Sequence, residues 1–122
     1  MYAVAILDDM FFASKIREAA KSAGLDIEFV KGEEGVTGAA FSRTPSLVIV
    51  DLSNKKINAL ELIGILRGRD DLKGVRVIGY VPHVETGLMK AALDAGYDTV
   101  LPRSRFSIEL GEILSGITAG GD

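Results

Sequence analysis

Three aspartates stand directly after two apolar runs. Asp8 and Asp9 close Tyr2-Ala-Val-Ala-Ile-Leu7, and Asp51 closes Ser46-Leu-Val-Ile-Val-Asp51. If both runs are strands of one parallel sheet, the three carboxylates meet at the edge where open α/β sheets place their ligands. Crowded carboxylates repel one another, so such a cluster requires a cation or a charged partner close by. Each acid also has a plainer reading. An Asp after a strand is often a turn residue or a helix N-cap, and Asp8 or Asp9 could simply cap the helix that follows. All three arriving together at one edge favours the pocket over three unrelated caps.

Composition narrows what the pocket could serve. The chain of 122 residues is 48% hydrophobic and 25% charged, and it fits one globular domain, 1–122, with 118–122 expected to fray. A net charge of -3 argues against a dedicated nucleic-acid surface. The absence of cysteine excludes a disulfide framework, a thiolate zinc site and thiol catalysis. His83 is the only histidine, so a Ser-His-Asp relay or a multi-histidine metal site is excluded or reduced to a single possible member, and it reads as an exposed loop residue after Pro82. Ala3 to Leu7 is too short for a signal-peptide core and is followed by acids, and no apolar stretch is long enough to span a membrane. A cytoplasmic protein is expected.

The elements that must position the acids follow from periodicity. Phe12, Ile16, Ala19, Ala20 and Ala23 recur at helical spacing up to Gly24, a natural C-cap. Asp26 to Val30 reads as a strand, and the loop from Lys31 to Gly38 leads into a weaker helix ending before Arg43-Thr44-Pro45. Leu47 to Val50 is a β-branched run suited to a central strand covered on both faces. Asn58 is the expected N-cap of a helix with Leu60, Ile63 and Leu66 or Arg67 inward, before a turn at Arg69-Asp70-Asp71. Val75 to Tyr80 is a strand. Leu88, Ala91, Ala92 and Ala95 mark a helix stopped by Gly96, Asp98 to Leu101 is the last strand, and Phe106, Leu110, Ile113, Leu114 and Ile117 stripe the last helix. Five strands alternating with five helices predict an α/β fold: a five-stranded parallel sheet with helices on both faces, flavodoxin-like.

In this order of parts the chain resembles the receiver domain of two-component response regulators over roughly Ala3 to Ile117. Asp8-Asp9 matches that family's acidic pair, Asp51 its phosphoacceptor, Leu60-Glu61-Leu62 the start of its third helix, and Gly96 the turn into its fifth strand. The resemblance implies a (βα)5 receiver fold and a phosphorelay signalling module rather than an enzyme. It implies Mg²⁺ held by Asp8, Asp9, Asp51 and the backbone carbonyl of Ser53, with Asp51 phosphorylated. Implied partners are a sensor histidine kinase or phosphotransfer protein and a downstream signalling protein. Contacts would run through the face of the Leu88–Ala95 helix, the last strand and the last helix, a face that also suits a homodimer. Magnesium fits such chemistry because it takes hard oxygen ligands and drains the repulsion between nucleophile and donor.

Several family positions differ here. Val81 stands where receivers carry a Ser or Thr hydroxyl for the phosphoryl group, Val100 where they carry a switch aromatic, and Arg103-Ser104 where they carry Lys-Pro. A phosphoryl oxygen facing a methyl forfeits a charge-assisted bond worth about 1.5–3 kcal/mol. Arg103 could pair bidentately with phosphate or lock onto Asp51. Lys55 replaces a usual Pro and Asn58-Ala59 a usual Asp-Gly, and Lys55 and Lys56 read as solvated loop lysines. These departures leave a second possibility: a pseudo-receiver that works by protein contact without phosphorylation.

Other readings fit the residues less well. An Asp-nucleophile phosphohydrolase wants a second acid two positions on, and Asp51-Leu52-Ser53 has none. A flavin carrier lacks a phosphate-cradling loop, since the glycines from Gly32 to Gly38 come with Glu33 and Glu34 and no Gly-Lys-Ser/Thr ending. Gly64 and Gly68 mean close packing or fraying in a charged helix. Arg67, Arg69, Arg103 and Arg105 are diluted by Asp70, Asp71 and Glu109, and a solvated face is the expectation.

Overall fold

In the computed structural model, which describes residues 2–32 and 44–120, the side chains of Leu47, Val48, Ile49 and Val50 are wholly buried. They belong to the central strand of five. The strands are β1 (Tyr2–Ile6), β2 (Asp26–Val30), β3 (Leu47–Asp51), β4 (Arg76–Val81) and β5 (Thr99–Pro102). The described helices are α1 (Met10–Ala23), α2 (Ala59–Gly68), α3 (Thr86–Ala95) and α4 (Arg103–Gly120). The expected helix before Arg43 lies outside the described residues. The helix α4 runs on past Ile117 to Gly120.

All four strand pairs are parallel, in the order β2-β1-β3-β4-β5. The chain steps outward from β1 to β2 and then returns to the other side of β1 with β3. The crevice at that reversal opens beyond the C-terminal ends of β1 and β3, the position of Asp8, Asp9 and Asp51. Alternation along the strands sorts the core into two layers. One, under α1 and α4, holds Ala5, Ile49, Ile78, Tyr80, Phe12, Ile16, Phe106 and Leu110. The other, under α2 and α3, holds Val4, Val48, Val50, Val81, Val100, Leu62, Ile63 and Leu66.

Local signals act as their chemistry dictates. Gly24 ends α1 in the left-handed region at φ 70°, Gly96 ends α3 at φ 128°, and the Asn58 side chain accepts from Glu61 N to cap α2. In α2 the inward residues are Leu62, Ile63 and Leu66, whereas Leu60 is 40% exposed. The inward stripe therefore runs along Leu62, Ile63 and Leu66 and not through Leu60. No described helix is long and apolar enough to cross a membrane.

Arg67 departs most from its expected role on a solvated face. Its Nε and Nη2 donate to Gly96 O at 3.2 and 2.9 Å, and its Nη1 donates to Lys73 O and Val75 O at 3.1 and 2.6 Å. Its Nη2 also pairs at 2.9 Å with Asp98 Oδ2, which itself accepts from Val77 N at 2.7 Å. One planar fork therefore ties the end of α2 to the entries of β4 and β5, at the sheet edge opposite the acids. Arg67→Ala is expected to destabilise the fold by about 2–3 kcal/mol, because it strands several carbonyls and Asp98 together. Arg67→Lys should recover little, since an ammonium cannot serve the fork; chemical denaturation of the three proteins checks both.

Candidate functional site

The fold brings all three predicted acids to one edge, and each is already engaged. Asp9 is the N-cap of α1: its Oδ1 accepts from Phe11 N at 3.0 Å and Phe12 N at 3.1 Å. Its Oδ2 receives Arg103 Nη1 at 3.2 Å. The capping and pocket readings of Asp9 therefore hold together, one for each oxygen. Asp8 is exposed and its Oδ2 pairs with Lys56 Nζ at 3.1 Å. Asp51 is half-buried, with Oδ1 accepting from Ser53 N at 2.9 Å. Asp8, Asp9, Asp51, Ser53, Asn54, Lys55 and Lys56 line an open cleft of about 320 Å³.

Two cations thus balance the carboxylates. Lys56, read from sequence as solvated, reaches Asp8, whereas Lys55 stays exposed in the wall of the cleft. Arg103 does not lock onto Asp51; its guanidinium takes Asp9 and lies 5.7 Å from the centre of the Phe12 ring. Among the described residues no three acidic or histidine side chains form a ready-made metal cluster. Both ion pairs are substantially exposed, with side-chain exposures of 55% and 37% for Lys56–Asp8 and 39% and 34% for Arg103–Asp9. Pairs of that kind contribute about 0.2–1 kcal/mol each, so a stronger ligand for the carboxylates displaces them at small cost.

The loop after β3 is held by Asn54, the one buried polar or charged residue among those described. Its amide donates to Lys31 O at 3.0 Å, its Oδ1 accepts from Lys56 N at 3.0 Å, and its backbone N donates to Asp51 O at 3.1 Å. That places Lys56 over the acids. Leu52, next to Asp51, lies against the Cα of Gly79, where a Cβ would meet Leu52 Cδ2 at 2.9 Å. Any side chain at 79 would therefore have to displace the Leu52 side chain.

Val81 is fully buried and Val100 is 9% exposed, both in the core layer under α2 and α3. They bring neither a hydroxyl nor a ring to the acidic edge. On the other face stands a residue that periodicity marked only as the end of a strand. Tyr80 is the register partner of Asp51, 1% exposed, stacked on Phe106 at 5.3 Å and 9° and tilted against Phe12 at 5.0 Å. A polar-tipped ring in the buried stretch of the strand, one position before its end, was the available signal. His83 is exposed, as its loop position implied.

Burial holds the Asp51 carboxyl above its ordinary value of 3.8, against the downward pull of the Ser53 N–H and the Arg103 charge, and Asp9 adds to the rise. Burial first, and then the charges of Asp51 and Asp9, push the Tyr80 phenol far above its usual range.

The response regulator of Hahella chejuensis superposes on this chain with a TM-score of 0.85 at 17% identity, covering 95% of this chain and 93% of that one. The chemotaxis response regulator CheY4 of Vibrio cholerae gives 0.81 at 13%, covering 95% and 97%. The receiver domain of the sensor histidine kinase PA1611 of Pseudomonas aeruginosa, with a magnesium ion in its active-site cleft, gives 0.81 at 16%, covering 97% of each chain. No family model and no curated protein matches the sequence. The likeness is one of fold: the chain has the doubly wound, five-stranded architecture of response-regulator receiver domains.

A carboxyl held above its ordinary value is more stable in the fold when protonated. Its favourable contribution is complete below 3.8 and is lost as pH rises through the higher folded value. Asp51→Asn keeps the acceptor for Ser53 N and removes the charge. It is expected to be more stable than the parent at neutral pH, within about 1 kcal/mol or ~3–5 °C in Tm, with the difference vanishing in acid. Thermal unfolding of both proteins across the acid range tests this, and a less stable Asn variant at neutrality would show that attraction to Arg103 outweighs burial.

Proposed function

We propose that this chain is a phosphorelay receiver module, cytoplasmic and working by protein contact, in which Asp51 accepts a phosphoryl group. The observation that carries the reading is the placement of Asp51. It is a half-buried carboxylate at the topological crevice, flanked by two acids whose cationic partners are held only by exposed ion pairs. The receiver-like architecture supports it.

The donor chemistry of the site fits magnesium, since every candidate ligand is a hard oxygen. Asp8, Asp9, Asp51 and the Ser53 carbonyl would hold the ion in exchange for Lys56 and Arg103. When bound, it supplies positive charge against the anionic donor and nucleophile. The chain's own residues do the rest. An Asp51 carboxylate oxygen attacks phosphorus while the bond from phosphorus to the donor breaks, and the donor's oxygen or imidazole nitrogen leaves with the electron pair. Ser53 N holds the other Asp51 oxygen, which fixes the direction of attack. Lys56 and Arg103, released from Asp8 and Asp9, face the transferred group as cations. The phosphoryl source would be a sensor histidine kinase or a phosphotransfer protein, and a downstream signalling protein or a second copy would read the result.

The aliphatic Val81 and Val100 favour one other reading, a pseudo-receiver that binds partners in a single conformation. Incubation with Mg²⁺ and acetyl phosphate separates the two. Intact mass should rise by one phosphoryl group in the parent protein and not in Asp51→Asn, and a chelator should abolish the gain. An unchanged parent mass leaves the pseudo-receiver. Lys56→Met should tighten Mg²⁺ binding by roughly 1.5- to 5-fold, the worth of one exposed ion pair, as read by titration calorimetry.

A further inference from the structure

Of the three tyrosines in the chain, two have their hydroxyls served by protein: Tyr2 donates to Glu28 Oε1, and Tyr97 donates to Ala59 O at 2.8 Å. Tyr80 does not. Its hydroxyl is the one buried side-chain polar atom among the described residues without a hydrogen-bond partner. Such groups are rare, because an orphaned buried hydroxyl forfeits its bonds to water and gains nothing. A Phe would fill the same slot between Phe12 and Phe106, so packing alone gives no reason for the oxygen.

Its position supplies one. Tyr80 and Asp51 are register partners on adjacent strands, and residues Ile49 and Ile78, one alternation earlier, share the layer in which Tyr80 lies. The Tyr80 and Asp51 side chains therefore leave the sheet on the same face. Phe12, which the Tyr80 ring touches, lies in turn beneath the Arg103 guanidinium that pairs with Asp9. Contact with Phe106 on α4 and Phe12 on α1 fixes the direction of the ring. A phenol hydroxyl is a neutral hydrogen-bond donor.

We propose that the Tyr80 hydroxyl is the hydrogen-bond donor to the tetrahedral oxyanion, a phosphoryl group, carried on Asp51. It serves from the α1–α4 side of the sheet where Val81 offers no hydroxyl from the other. This rests on Asp51 as phosphoacceptor. Tyr80 acts as a binding residue, and it acts only once the oxyanion is in place.

Fluoroberyllate with Mg²⁺, a stable mimic of a carboxyl-bound phosphoryl group, is the probe. Two measurements are made on the full chain: affinity by titration calorimetry, and the near-ultraviolet tyrosine difference spectrum on loading. The parent should show a tyrosine band shift on loading, because Tyr2 and Tyr97 already have partners. Tyr80→Phe should lose that shift, bind roughly tenfold or more weakly, and unfold unloaded at the same or a higher temperature than the parent. Binding by both proteins with equal affinity and no tyrosine shift overturns the role of Tyr80 and leaves Asp51 standing. Weaker binding by Tyr80→Phe without a shift in the parent also overturns it, since the loss is then structural. Absence of binding to the parent overturns both readings. The shift is read in the parent itself, so a poorly folding variant does not block the test.

Discussion

The central strand β3 has no exposed face, and that constraint arranges the rest of the molecule. Leu47 to Val50 are buried on both sides, so α1 and α4 must cover one face of the sheet and α2 and α3 the other. A strand buried this completely reaches water only at its ends. Asp51 is the first residue of β3 that can carry a polar side chain, and it does so half-buried, where desolvation already disfavours its charge. Parallel pairing with β1 then brings Asp8 and Asp9 to the same edge. The acidic cluster is a consequence of how the sheet is covered.

A cluster of that kind persists only if its repulsion is offset. Here the offset is local and reversible: Lys56 on Asp8 and Arg103 on Asp9, both at the solvent boundary. Little stability is lost when exposed pairs of this kind part. At the opposite edge of the sheet an arginine of the same chemistry is committed to three carbonyls and Asp98, and there it builds the fold.

The two faces of the sheet are chemically unlike near the acids. Under α2 and α3, Leu52, Val81 and Val100 form an aliphatic surface with nothing to offer a charged group. Under α1 and α4, Phe12, Tyr80 and Phe106 form an aromatic stack with a single hydroxyl, close to the Asp9–Arg103 pair. Any response to a change of charge at Asp51 meets polar and polarisable groups on one side only.

Much of this was legible along the chain. Strand runs, the Gly24 and Gly96 stops, the Asn58 cap and the three acids depend on residues within a few positions of one another, and local sterics and periodicity decide them. Periodicity alone does not separate Leu60 from Leu62 on α2, because a short apolar helix offers several stripes and only the sheet beneath it selects Leu62. Lys56, Arg67, Arg103 and Tyr80 belong to a different class. Asp8, Gly96, Asp9 and Phe106 lie far from them in sequence, and neither a long cationic side chain nor a ring carries a local mark of which distant group it will meet. By itself the sequence determined the alternation of elements and the position of each of the three carboxylates at the end of its strand run. Tertiary structure decided which cations answer them and which hydroxyl is left without a partner, because those outcomes depend on distances that exist only once the strands are paired.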